Sequence, residues 1–364
     1  MTTILIVANS GRMLAQAAKQ AGLKALVIDL FADLDMQGYA EDFCRVKSLA
    51  ESDLAPAVDY FTEHYAVTHV IYGSGFECHP ESLFYLNSRL IIVGNRPDVF
   101  AGQQDKQAFF STLDRLNIPY PDVVFSAPDY SDGWLLKPMR GQGGFGIKRY
   151  DADAEAENPV YWQKFQSGTP HSVLFLADGQ QLQIIGFNRQ WAVRLSDDRE
   201  FVFSGVVNNA DLPDAHKELI SGWLTQLVPL FELKGLNSLD FIYENGRSYV
   251  LEINPRPSAS LQLYDRDLLI RHIQACTSAT SFTAGAPSLP ACFTGYRIIY
   301  AEQDVIIPRQ FDWPDGCMDL PNPGNMCRTG QPICSIIAHQ KNLQAVVEQL
   351  LAKQQLIFSK FKRF

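Results

Sequence analysis

Residues 237–260, NSLDFIYENGRSYVLEINPRPSAS, constrain the fold of this chain more than any other stretch. Apolar and aromatic residues around Asp240 alternate with polar ones, Asn245-Gly246 supplies a turn, and Tyr249-Val250-Leu251 resumes a strand, which predicts a β-hairpin. Asp240, Glu252 and Asn254 offer hard oxygen ligands of the kind Mg²⁺ prefers. Glu252 and Asn254 are two apart and leave one face of a strand together. Whether Asp240 joins them depends on the turn. A two-residue Asn-Gly loop pairs Asp240 with Leu251, whereas an Asn245-Gly246-Arg247 loop sets Asp240 opposite Glu252. A metal-binding hairpin therefore predicts an odd loop, and a tight two-residue turn would sink it.

The rest of the chain supplies groups that such a hairpin could work with. Arg256 lies just beyond, between Pro255 and Pro257, suited to clamp a phosphoryl group. Lys137 follows the apolar Trp134-Leu135-Leu136, where an ammonium is costly to bury without an anion. Next comes RGQGGFG, residues 140–146, in which Gly141, Gly143 and Gly146 satisfy G-x-G-x-x-G. That motif should open a helix in a dinucleotide fold, but Ile147-Lys148-Arg149-Tyr150 is extended in pattern. A glycine-rich hairpin loop instead lets backbone N–H groups close over phosphate oxygens. No kinase catalytic loop, P-loop or nucleophile elbow is present.

With 364 residues, two or three packed units are expected. A net charge of −9 argues against a general nucleic-acid binder. No apolar run approaches the roughly 20 residues that span a bilayer. The opening MTTILIVANSGRM lacks a basic segment before its apolar run and reads as a strand rather than a signal peptide. The seven cysteines show no C-x-x-C spacing, so reduced thiols and a cytoplasmic protein are expected.

In order, residues 3–8, 13–20 and 23–29 read as strand, helix and strand, the start of a parallel α/β sheet. Residues 67–72 and 90–93 add buried strands, the first leading into Gly73-Ser74-Gly75-Phe76-Glu77. Ligands sit beyond the carboxyl ends of such strands, which makes Glu77 a candidate substrate wall. Pro97 marks a boundary, and a helix at 105–115 follows. Strands are expected at 134–138, 160–165, 172–177, 182–194 and 201–207. Helices are expected at 216–231 and 261–276. Composition changes at Ala284-Gly285-Ala286-Pro287, after which strands at 296–302 and 333–339 precede a helix at 343–355.

Lys106 at a helix start, Lys137 before a glycine hairpin, Gln163-Lys164-Phe165, Asp240 and Glu252-Ile253-Asn254-Pro255-Arg256 stand in an order that resembles the ATP-grasp superfamily over about residues 1–280. The arrangement is most similar to the branch of biotin carboxylase and small carboxylate–amine ligases, and the tail more faintly resembles the tyramine–glutamate ligase-like group. The resemblance implies a mixed α/β and α+β architecture with an N-terminal Rossmann-like domain (1–97) before an ATP-grasp core (98–284). The core would hold a glycine-loop subdomain near 120–165 and a metal-site subdomain near 166–284, with a small C-terminal region (285–364) after it. It further implies ATP and two Mg²⁺ ions, with Asp240, Glu252 and Asn254 as metal ligands. Lys106, Lys137 and Gly141, Gly143, Gly144 and Gly146 would meet the phosphates. Gln163, Lys164 and Phe165 would line the adenine pocket, with His171 at a ribose position. Arg256 and Lys137 would be catalytic, and Glu77, Arg256 and Ser258 would face the substrate. Gln163 departs from the Glu usual at its position.

The implied activity is phosphorylation of a carboxylate to an acyl phosphate and its coupling to an amine. The partners are then small molecules, with no nucleic acid or membrane, and a homodimer is compatible. A kinase-like or carboxylating enzyme and a non-catalytic ATP-binding regulator are the alternatives.

Overall fold

The first apolar runs become Thr3–Val7 and Lys24–Asp29, parallel neighbours in a five-stranded sheet. Its order is Asp42–Arg45, Lys24–Asp29, Thr3–Val7, His69–Tyr72 and Ile91–Ile92, parallel throughout. The order reverses between Thr3–Val7 and His69–Tyr72, where α/β sheets open a crevice beyond the strand ends. The computed structural model describes residues 2–151, 159–278 and 292–362.

The larger sheet has eight antiparallel strands. They run Arg247–Asn254, Lys234–Glu244, Thr169–Asp178, Leu182–Val193, Val202–Val207, Phe293–Tyr300, Pro332–Gln340 and Cys317–Met318. One face packs on the helix Asp214–Phe231, with Trp223, Leu224, Leu227 and Val228 against Val173, Phe175, Leu239, Phe241 and Val250. The compositional break expected at Ala284-Gly285-Ala286-Pro287 lies outside the described residues. The strands beyond it continue the sheet that carries the 237–260 hairpin. A four-stranded sheet, Val123–Val124, Val160–Lys164, Trp134–Pro138 and Lys148–Arg149, forms the opposing layer.

The single helix expected at 261–276 is two elements, a 3₁₀ turn Ala259–Leu263 and the helix Leu268–Thr277. Tyr264 is extended between them, and its hydroxyl donates to Asn188 Oδ1 at 2.5 Å. That tertiary bond, with burial of Leu261 and Leu263, outweighs local helix preference. The helices Glu51–His64 and Glu81–Arg89, which the sequence reading passes over, cover the parallel sheet through Leu54, Val58, Phe61, Leu83 and Leu86.

Candidate active site

The hairpin turns at Asn245-Gly246, with Glu244 paired to Arg247 and both turn residues at positive φ (48° and 75°). This is a two-residue loop, and the odd loop expected from the sequence is absent. The register changes instead between Asp240 and Phe241: Phe241 pairs with Val250, and Asp240 pairs with Glu252. One extra residue, Leu251, is accommodated on the returning strand as a β-bulge. The bulge does what an odd loop would have done. Val250 and Ile253, three apart, both face the core, while Leu251, Glu252 and Asn254 line the cavity.

Asp240 and Glu252 extend into a polar row across the sheet. Ser172 is the partner of Asp240 on the next strand, and Asn188 is the partner of Ser172 beyond it. Gln190 and Asn254 donate to Asp240 at 3.4 and 3.2 Å. Burial, and then the charge of Glu252, hold the Asp240 carboxyl well above the ordinary carboxylate range. Two opposed carboxylates under that strain fit a divalent cation, which would relieve both effects. Among the described residues no three His, Cys, Asp or Glu side chains gather as a metal site. Two carboxylates with a neighbouring amide suit Mg²⁺, which keeps water and phosphate oxygens in its shell. The oxygen of Asn254 accepts from Arg256 Nη2 at 3.2 Å, so ligation by Asn254 requires its amide to turn.

Lys106 opens the helix Lys106–Arg115, capped by Asp105, whose carboxylate accepts from Ala108 N at 3.0 Å. Its buried ammonium reaches within 3.7 Å of Glu252. Lys137, on Trp134–Pro138, donates to Gln163 Oε1 at 2.9 Å. Burial, aided by Lys106 and opposed by Glu252 and Asp240, lowers its pKa to about 8. An added anion would restore the ammonium, which fits a phosphate contact. Gln163 is 1% exposed and its Nε2 finds no partner among the described residues.

The glycine stretch is a loop between paired strands, Leu135 with Arg149 and Leu136 with Lys148. It lies down on the large sheet, where Gly143 O accepts from Phe203 N at 2.9 Å. Gly144, at φ +77°, passes so near the Phe201 carbonyl that a Cβ would stand 1.9 Å from its oxygen. Lys106, Lys137, Gly141, Gly143, Gly144, Gln163, Lys164, Phe165, Asp240, Glu252, Asn254, Arg256 and Ser258 all line one cavity of 1210 Å³. The N–H groups of Lys164 and Phe165 donate to Asp122 and Gly133 carbonyls, so a base edge could meet only their carbonyl oxygens.

Three expected site residues stand elsewhere. His171 is in the Thr169–Asp178 strand, where alternation turns it to the core; it stacks on Phe241 at 5.5 Å while Pro170 and Ser172 take the cavity face. Gly146, at φ +78°, turns the loop without lining the cavity. Glu77 is 4% exposed and holds Arg256: its Oε1 accepts from Arg256 Nε at 2.5 Å and its Oε2 from Gly75 N at 2.8 Å. It therefore positions the arginine rather than walling a substrate.

Of the far end of the cavity, sequence reasoning points to the loop at Gly73-Ser74 but not to the residues that meet it there. Ser10, Phe31, Asp33, Gly73 and Ser74 come from loops after the parallel strands, Arg12 from the start of the helix Arg12–Gln20, and Tyr296, Asp319 and Ser335 from the C-terminal part. Arg12, 1% exposed, donates to Asp319 at 2.9 Å and to Gln262 at 2.9 Å. No local pattern could join residues 307 apart.

The chain is similar to known proteins in both sequence and fold. Residues 103–260 match the ATP-grasp domain family model. An uncharacterized protein of Methanocaldococcus jannaschii is 21% identical over 71% of this chain and 66% of its own length. The carbamoyl phosphate synthase large chain of Thermomicrobium roseum is 25% identical over 47% of this chain and 18% of its own. The chain thus spans less than two thirds of these relatives. Among solved structures, the biotin carboxylase domain of Hydrogenobacter thermophilus 2-oxoglutarate carboxylase, in complex with MgADP, ADP and bicarbonate, superposes with a TM-score of 0.74 at 14% identity. It covers 96% of this chain and 89% of that one. The N5-carboxyaminoimidazole ribonucleotide synthetase of Thermotoga maritima gives 0.69 at 14%, covering 98% of both.

Proposed function

With an ATP-grasp domain at residues 103–260, the chain belongs to the ATP-grasp superfamily, and we propose that it is an ATP- and Mg²⁺-dependent ligase joining a carboxylate to an amine. The observation that carries this reading is the Asp240–Glu252 pairing made by the bulge, with Lys106 and Lys137 on the same cavity wall. In this reading residues 98–284 grip ATP, while 1–97 and 285–364 wall the acceptor end.

A carboxylate oxygen attacks the γ-phosphorus and the bond to ADP breaks, leaving an acyl phosphate. The amine nitrogen then bonds to the carbonyl carbon, the C–O bond to phosphate breaks, and the phosphate departs with the nitrogen's proton. Asp240, Glu252 and a turned Asn254 would hold Mg²⁺, which when bound would supply charge neutralisation for the phosphate oxygens. Lys106 and Lys137 hold the phosphates, and the loop from Gly141 to Gly144 excludes water above them. Gln163 offers its unpartnered Nε2 to the nucleotide. Arg256, fixed by Glu77, steadies the transferring group.

A carboxylating enzyme shares the first step, since the anionic oxygen of bicarbonate can attack the γ-phosphorus as a carboxylate oxygen does, and a bicarbonate complex exists among the structural neighbours. The test is an ADP-release screen of carboxylates, bicarbonate included, crossed with amines. Stoichiometric ADP, phosphate and an amine-dependent product support the ligase; label from bicarbonate alone in the product supports carboxylation. Near-normal Mg-ATP turnover by Glu252→Ala overturns both.

A further inference from the structure

At the acceptor end, one acid has no partner among the described residues. Asp33 is the N-cap of the helix Leu34–Tyr39, a position whose side chain ordinarily accepts a bond from its own helix. It makes no such bond. The first helical N–H, that of Leu34, donates instead to the Leu320 carbonyl at 2.8 Å, brought in by the C-terminal part of the chain. The Asp33 carboxylate lines the cavity and is only 6% exposed. It accepts no hydrogen bond and makes no salt bridge with any described residue.

Its neighbours are all engaged. Asp35 accepts from the backbone of Asp319 and Leu320 at 3.0 and 2.9 Å. Asp319 binds Arg12, and Asp29 accepts from Gly11 and Ala32. Arg12 is thereby committed to Asp319, Gln16 and Gln262 and makes no salt bridge to Asp33. Burial, then the charges of Asp319, Asp29 and Asp35, with Arg12 opposing, push the Asp33 carboxyl up to about 8. Its charge also helps to raise the Cys327 thiol, which is pushed up chiefly by burial. A carboxylate so placed lacks a cation. A single unengaged acid is too few oxygens for a divalent metal, and it matches one ammonium. Beside this polar group the cavity also has apolar lining: Phe31 and Met326 at 41% and 53% exposure, with Pro321.

We propose that Asp33 anchors the protonated nitrogen of a primary amine whose apolar body lies along Phe31, Pro321 and Met326. That this amine is the reactant that accepts the acyl group rests on the ligase reading above; that it binds here does not.

The experiment uses the full chain with 2-phenylethylamine as probe and 2-phenylethanol as its neutral counterpart, titrated calorimetrically with and without MgADP. The amine is expected to bind the native protein about tenfold or more tightly than the alcohol, the scale of one desolvated charge pair. Asp33→Asn should abolish that preference while MgADP affinity stays within about twofold, which also reports that the variant folds. Equal binding of amine and alcohol by the native protein, or an unchanged preference in Asp33→Asn, overturns the proposal. Amine-dependent ADP release that is indifferent to Asp33→Asn sinks this site and leaves the ligase standing. Asp33-dependent amine binding without ADP release for any carboxylate does the reverse.

Discussion

At the nucleotide end of the cavity, Glu252, Asp240, Ser172 and Asn188 face one another on four neighbouring strands. At the acceptor end, Arg12 meets Asp319 from 307 positions away, and Leu320 caps a helix that begins at Leu34. The first set follows from strand pairing in a contiguous part of the chain, where each residue's face is decided by alternation. The second exists only because three remote loops converge. The contrast teaches that one end of the cavity is built by backbone register and the other by side-chain pairs between separate elements; in the proposed reading the first holds the phosphates and the second selects the acceptor.

The largest expected effect separates the two ends. Glu252→Ala should lower Mg-ATP-dependent turnover by roughly 10²–10³-fold while the unfolding midpoint moves little, read by initial rates beside thermal unfolding. A large loss of stability would mean that the register, not the metal charge, needs Glu252. Glu77→Ala tests the seam between the ends. It leaves Arg256 charged, buried and without its carboxylate, and urea unfolding should show a loss of about 3–5 kcal/mol.

A second seam responds to pH. His272 accepts from Leu236 N at 2.8 Å and donates from Nε2 to the Val93 carbonyl at 3.0 Å, joining the hairpin strand to the parallel sheet. Burial lowers its pKa to about 4 from an ordinary 6.5. The unfolded chain therefore binds a proton that the folded chain refuses between those values. Its contribution is complete above pH 6.5 and is lost progressively as pH falls to about 4, roughly 3 kcal/mol in all. Denaturant melts of the native protein and His272→Gln across that range should converge at the acid end.

Gly144→Ala is the mildest change and belongs to the nucleotide end alone. A Cβ at positive φ costs about 1–2 kcal/mol, and its clash with the Phe201 carbonyl should lift the loop off the sheet. KM for ATP should rise about tenfold with amine binding at Asp33 unaffected. An equal rise for both substrates would dissolve the distinction between the ends.

The nucleotide end was largely legible because its signals are local. Lys137 interrupts an apolar strand, glycines fill one loop, and Glu252 and Asn254 keep strand spacing. What misled was equally local. Counting the turn alone demanded an odd loop, yet Val250 and Ile253, three apart, already announce a slip of phase that a bulge explains. His171 has a ribose role only through the resemblance; its strand begins at Thr169, three residues before the expected start, and alternation turns it to the core. Glu77 looked open because nothing near it in the chain shows Arg256 arriving from 179 residues away.

By itself the sequence determined the parallel opening sheet, the glycine hairpin, and the acids on a two-stranded turn, since alternation, apolar runs and turn chemistry act over a few residues. Tertiary structure alone decided that Asp240 faces Glu252, that Glu77 serves Arg256, and that Asp33 is left without a partner among the described residues. Those outcomes depend on which remote backbone and charge fill each position first. A chain reveals its strands locally, but who neutralises a buried charge is settled only when the elements meet.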